Sequence, residues 1–172
     1  MLEVLRLSHR IARDKRISTH LALTARAFLA DKMYYSGDKD TSLESSTEKL
    51  NKKFGSTLAI EHIKDPVKLV KEKKAKNYKI IHLTMYGLEL KAELPKIKKF
   101  RNLLILIGSE HVPFEFYNLA DINLSITNQP HSELSALAIL LYELRKDKIL
   151  QYKNAQLKIK PCKLGKKIIK QG

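Results

Sequence analysis

Short apolar runs alternate along this chain with longer stretches in which apolar residues recur every three or four positions. Leu2 to Leu7, Met33 to Ser36, Thr57 to Glu61, Lys79 to Thr84, Leu103 to Ile107 and Ile122 to Ile126 read as strands. Ile17 to Ala30, Ser42 to Phe54, Pro66 to Lys76, Glu89 to Phe100 and Ser132 to Lys146 carry the spacing of helices with one apolar face. This alternation predicts an α/β fold, a mainly parallel sheet with helices on both faces. Ala155 to Ile159 predicts an edge strand, and the basic Lys166, Lys167 and Lys170 after it form a tail that either faces phosphate or is merely solvated.

Length adds a bound: 172 residues with no repeat and no Pro/Gly/Ser linker predict one domain spanning residues 1–172. Charge adds a partner, because 33 Lys and Arg against 18 Asp and Glu leave a net +15 that suits a polyanion such as RNA. A basic membrane-surface protein would fit that charge equally well. However, no apolar run reaches spanning length and the opening Met1 to Arg10 lacks a signal peptide's apolar stretch, so a cytoplasmic protein with no membrane is expected. The lone Cys162 can form neither an intrachain disulfide nor a zinc site and is given no role; no metal is expected.

Four segments hold the candidate chemistry. Leu5 to His20 carries Arg10, Arg13, Lys15 and Arg16 with Asp14 among them and His9 and His20 at either side; it reads as a strand running into a cation-crowded loop at the ligand-binding edge of a parallel sheet. Against this stands a plain solvated charge run. Ile80 to Gly87 changes from apolar to small, polar and aromatic residues at a strand's carboxyl end, although Met85 and Tyr86 are equally readable as core. Leu103 to Pro113 is a buried strand closed by Gly108, which permits close backbone approach but fits neither phosphate-loop nor dinucleotide patterns. Asn128 to Leu141 is a polar loop feeding a helix of small and apolar residues, with Ser132 as its N-cap.

In this order the segments resemble the archaeal tRNA methyltransferases that modify the ribose of cytidine-56 in the T-loop. The resemblance rests on Leu5 to Phe28, His82 to Gly87, Gly108 to Pro113 and Asn128 to Leu141, and is weakest between Asp38 and Lys76. It departs at His111, where a lysine is expected, and at Ser8, where a glycine is usual. It implies a SPOUT fold with a C-terminal trefoil knot, and S-adenosylmethionine held by Leu83, by the loop Gly108, Ser109, Glu110, His111, Val112, and by the loop Asn128, Gln129, Pro130, His131, Ser132, Glu133, Leu134, Ser135. It also implies a homodimer in which the arginine-rich segment of one subunit faces the methyl donor of the other.

A ribose 2′-hydroxyl is a poor nucleophile near neutral pH, so its methylation needs in-line positioning and a group that takes or offsets its proton. The candidates are Arg16 first, His20 second as a base, then Arg10, Arg13 and Asp14. The competing readings are a base-directed SPOUT methyltransferase and a non-catalytic RNA-binding protein. A small-molecule methyltransferase would leave the +15 charge without purpose.

Overall fold

Helical crossovers join each apolar run to the next, which forces successive strands parallel. In a computed structural model, which describes residues 1–108, 111–146 and 155–171, the elements are β1 (Leu2–His9), α1 (Ile11–Ala27), β2 (Lys32–Gly37), α2 (Thr41–Phe54), β3 (Ala59–His62), α3 (Pro66–Ala75) and β4 (Lys79–Glu89). They continue with α4 (Leu90–Ile97), β5 (Leu103–Ile107), α5 (Phe114–Leu119), β6 (Ile122–Ser125), α6 (Glu133–Arg145), β7 (Leu157–Lys160) and β8 (Lys167–Lys170). Six strands form one wholly parallel sheet in the order β3-β2-β1-β5-β4-β6.

Strand periodicity divides the core. Leu2 and Val4 of β1, and Leu103, Ile105 and Ile107 of β5, pack with residues of α1, α2, α4 and α6. Leu5 and Leu7, with Leu104 and Leu106, pack on the other face with α3 and α5. Where β1 ends, fully buried His9 sets Nδ1 2.8 Å from Ser18 Oγ on α1 and Nε2 3.5 Å from Asp40, the N-cap of α2. This Ser-His-Asp sequence of contacts is shut from solvent, and its effect is to fix the middle of α1 and the start of α2 against the sheet.

Four elements differ from the pattern-based reading. The cation-rich segment is no loop: α1 begins at Ile11, because Ala, Arg and Lys are good helix formers whose charge hid the apolar period. Strand β4 runs past Thr84 to Glu89, pairing with β6 through Leu83 and again through Leu88, both opposite Leu124, so residues 84–87 are looped out between. Gly87 permits this, since a Cβ there would lie 2.5 Å from the backbone of Asn123. The six-residue α5 is too short to show a period. Finally, the expected edge strand at Ala155 to Ile159 does not join the sheet: β7 pairs only with β8, in a separate antiparallel ribbon, because the basic tail is itself a strand.

Candidate active site

The carboxyl ends of β1, β5 and β4 lie side by side, and the segments that follow them enclose a cavity of about 430 Å³, within the range of small-molecule sites. Arg10, Arg13, Asp14 and Ile17 line it from α1, while Leu83 to Tyr86 line it from the looped-out part of β4. Gly108 and Val112 follow β5, and His131, Ser132 and Glu133 open α6. At Gly108 an added Cβ would overlap the Val112 side chain at 1.8 Å, so the loop folds back over a bare backbone.

Beneath the cavity sits Arg6, fully buried in the middle of β1. Its guanidinium lies 3.2 Å from Glu133 and 3.6 Å from Asp14, and it donates to the Leu7 carbonyl. Burial lowers the Arg6 pKa, with Glu133 and Asp14 pulling the other way. Burial likewise raises the Glu133 carboxyl above its ordinary range, Arg6 opposing and Asp14 reinforcing. Asp14 in turn accepts from the Arg10 backbone amide at 3.2 Å and from Arg10 Nε at 3.3 Å. One buried cation therefore ties the α1 start, which carries the arginines, to the α6 start, which closes the cavity.

The opposite wall is set by His82, fully buried on β4. Asn123 Nδ2 donates to the Tyr117 carbonyl at 3.0 Å, which turns its Oδ1 toward His82 Nδ1 at 2.8 Å. His82 Nδ1 therefore carries the proton and Nε2 keeps a lone pair. Burial lowers the His82 pKa, with the Asn123 contact opposing, so the ring stays neutral. Tyr117 stands edge-on to the ring and its hydroxyl is 3.3 Å from Thr84 Oγ1.

Of the residues singled out in the sequence, Arg10, Arg13, Asp14, Leu83, Gly108, Val112, His131, Ser132 and Glu133 converge on this cavity. Arg16 and His20 are exposed on α1 and do not line it. Asn128 is exposed, and its side chain ties the loop to the Met85 carbonyl at 2.7 Å. Ser132 Oγ caps α6 by accepting from the Ser135 amide at 3.1 Å, and Leu134 packs on the core. Gln129, Pro130 and His111 are exposed. Ser109 and Glu110 lie outside the described residues. Sequence reasoning passed over Arg6, His82, Thr84 and Tyr117 as site residues; the available signal was a lone ionisable residue inside an apolar strand, in Leu5-Arg6-Leu7 and Ile81-His82-Leu83.

S-adenosylmethionine fits this cavity. Among the described residues Glu133 Oε2 and His82 Nε2, on residues that line it, are buried acceptors with no hydrogen-bond partner, and the cofactor's amino and hydroxyl groups are donors. Among the described residues no cluster of His, Cys, Asp or Glu could hold a metal ion, and no helix is long and apolar enough to cross a membrane.

Solved structures share this architecture. The SpoU methyltransferase AviRb of Streptomyces viridochromogenes, in complex with AdoMet, superposes with a TM-score of 0.62 at 20% identity over 87% of this chain, which spans 58% of that structure. The TrmH/SpoU tRNA modifying enzyme of A. aeolicus gives a TM-score of 0.61 at 15% identity over 86% of this chain and 75% of its own. The fold is that of the SpoU methyltransferases. Sequence narrows this: the tRNA (cytidine(56)-2′-O)-methyltransferases of Methanosphaera stadtmanae and Methanocaldococcus jannaschii are each 43% identical, over 99% of this chain and 99% and 97% of theirs. Residues 54–169 match the model of the tRNA ribose 2′-O-methyltransferase family aTrm56, and the chain belongs to that family.

Proposed function

We propose that this protein transfers a methyl group from S-adenosylmethionine to the ribose 2′-hydroxyl of cytidine 56 in the tRNA T-loop. One observation carries the reading beyond family membership: Arg10 and Arg13 face the same cavity as Leu83, Gly108, Ser132 and Glu133, so phosphate-binding cations and a nucleoside-sized crevice share one space. When bound, S-adenosylmethionine supplies an electrophilic methyl on its sulfonium. Glu133 and His82 would accept from its donors, and the backbone around Gly108 would border it.

Arg10 and Arg13 bind the phosphates flanking the target ribose, with Arg10 held by Asp14. Arg16 polarises the 2′-hydroxyl and His20 accepts its proton. Because these two are exposed and lie outside the lining of their own cavity, they act on the site of a second copy. Exposed Ile11 and Ile17 on α1, with Ile139 and Tyr142 on α6, support a homodimer through these contacting helices. The Asn128 contact with the looped-out part of β4 supports a chain threaded past residues 84–87, as a trefoil knot requires. The whole chain then acts as one catalytic unit in the cytoplasm.

The test is transfer of labelled methyl from S-adenosylmethionine to an unmodified tRNA transcript, mapped by nuclease digestion, with a control transcript altered at cytidine 56. Label in the ribose of that nucleotide is expected, and at least a hundredfold slower turnover in Arg16→Ala at saturating tRNA. Label on a base would overturn the ribose assignment; tight binding without transfer would leave only an RNA-binding protein.

A further inference from the structure

The β7–β8 ribbon carries charge that its own fold opposes. Residues 155–171 contain six lysines, at 158, 160, 163, 166, 167 and 170, and no acidic residue. Register sets Lys160 directly across from Lys167, and Lys158 two residues along the same face. Like charges directly opposite one another destabilise a strand pair, and a ribbon of two four-residue strands is only marginally stable at best. Among the described residues, none of these lysines has a carboxylate partner, and all six are exposed. The other face of the ribbon adds to the field: Leu157 and Lys170 border a groove shared with Lys49, Lys52 and Lys53 of α2. Among the described residues, only Lys52 of those three has an ion-pair partner, Glu48.

Topology places this groove far from the cavity. Helix α2 leaves the carboxyl end of β2 and returns toward the amino end of β3, so its last turn lies at the sheet edge opposite the candidate active site. We infer that the C-terminal ribbon is a second RNA-contact surface, with Lys158, Lys160 and Lys167 binding tRNA backbone phosphates away from the reacting nucleotide. A cavity of about 430 Å³ has the size of a small-molecule site, whereas an intact tRNA is far larger, so a remote cationic anchor adds affinity without touching the chemistry. The contacts are to phosphate, because A-form major grooves are too narrow for a ribbon to read. The inference builds on the proposed tRNA substrate but is measured by binding.

The experiment compares the full-length protein with Lys158→Gln/Lys160→Gln/Lys167→Gln, and with Lys76→Gln/Lys91→Gln/Lys98→Gln, which removes the same charge from exposed positions elsewhere. Dissociation constants for an unmodified tRNA transcript are measured across a salt series. The ribbon variant is expected to lower the slope of log Kd against log salt by roughly 2–3 and to raise KM for tRNA about tenfold. Its kcat at saturating tRNA and its affinity for S-adenosylmethionine stay as in the wild type, and the control variant moves the slope by less than about 1. An unchanged slope and Kd in the ribbon variant would overturn the inference. So would equal losses in both variants, a change of oligomeric mass, or loss of binding to phosphatidylglycerol vesicles with tRNA affinity intact. Failure of the wild type to methylate tRNA would count against the proposed function, while the salt slopes would still decide this one.

Discussion

At Ser8 the backbone enters the left-handed region, with φ of 57°, as β1 gives way to α1. Glycine, usual here in the family resembled, adopts that conformation without the clash a Cβ brings. Ser8→Gly is therefore expected to stabilise the protein by about 0.5–1 kcal/mol, read as a raised urea midpoint. His82 sets a pH dependence of the opposite kind from a paired histidine. Its folded pKa is depressed below 6.5, so its contribution to stability is present above that value and is lost as pH falls toward the folded pKa. Thermal midpoints of the wild type should drop more steeply than those of His82→Asn as pH falls below 6.5; parallel curves would show that His82 is not buried neutral. Neither Arg6 nor His82 was legible as a site residue. A single ionisable residue in an apolar strand reads as an edge or a misassigned element until distant partners such as Asn123 for His82 and Glu133 for Arg6 are placed beside it.

Elements were more legible than their ends. Every strand of the main sheet was marked by its apolar run; burial on both faces demands one in β1 and β5, whereas β3 at the edge alternates exposed and half-buried residues. The start of α1 was hidden because Arg10, Arg13 and Asp14 face the cavity and leave no apolar period there. The ribbon was misplaced because pairing partners are not encoded in a strand's own composition. Buried ion pairs also join elements in ways no local pattern displays. Arg6→Met leaves Asp14 with Arg10 alone and strips half-buried Glu133 of its ion pair, and should cost about 3–5 kcal/mol by urea denaturation. Adding Glu133→Gln should recover part of that loss. If the single substitution costs less than about 1 kcal/mol, the three charges are not coupled as drawn. Gly87→Ala should likewise destabilise by about 1–3 kcal/mol, since the blocking atoms belong to the β6 backbone.

For the whole molecule, the proposed homodimer would bring Arg16 and His20 of a second copy to the site across the exposed apolar residues of α1 and α6. Replacing Ile139 and Tyr142 by aspartate should halve the mass seen by light scattering and abolish methyl transfer, while S-adenosylmethionine, held within one chain, still binds by calorimetry. An unaltered mass would move the interface elsewhere. The net charge of +15 announced a polyanion, but composition could not divide it between a reaction crevice and a remote ribbon.

The bridge from Arg6 to Glu133 also has a consequence for how this chain is made. Arg6 leaves the ribosome with the first strand, while the carboxylate that neutralises it emerges only after the sixth. Until then a nascent sheet that buried Arg6 would do so with only Asp14 as counterion. Premature collapse is thereby disfavoured, and the first strand is kept from locking into place before α6 exists to cross it. A charge that holds the finished cavity together thus also serves, during synthesis, as a timer.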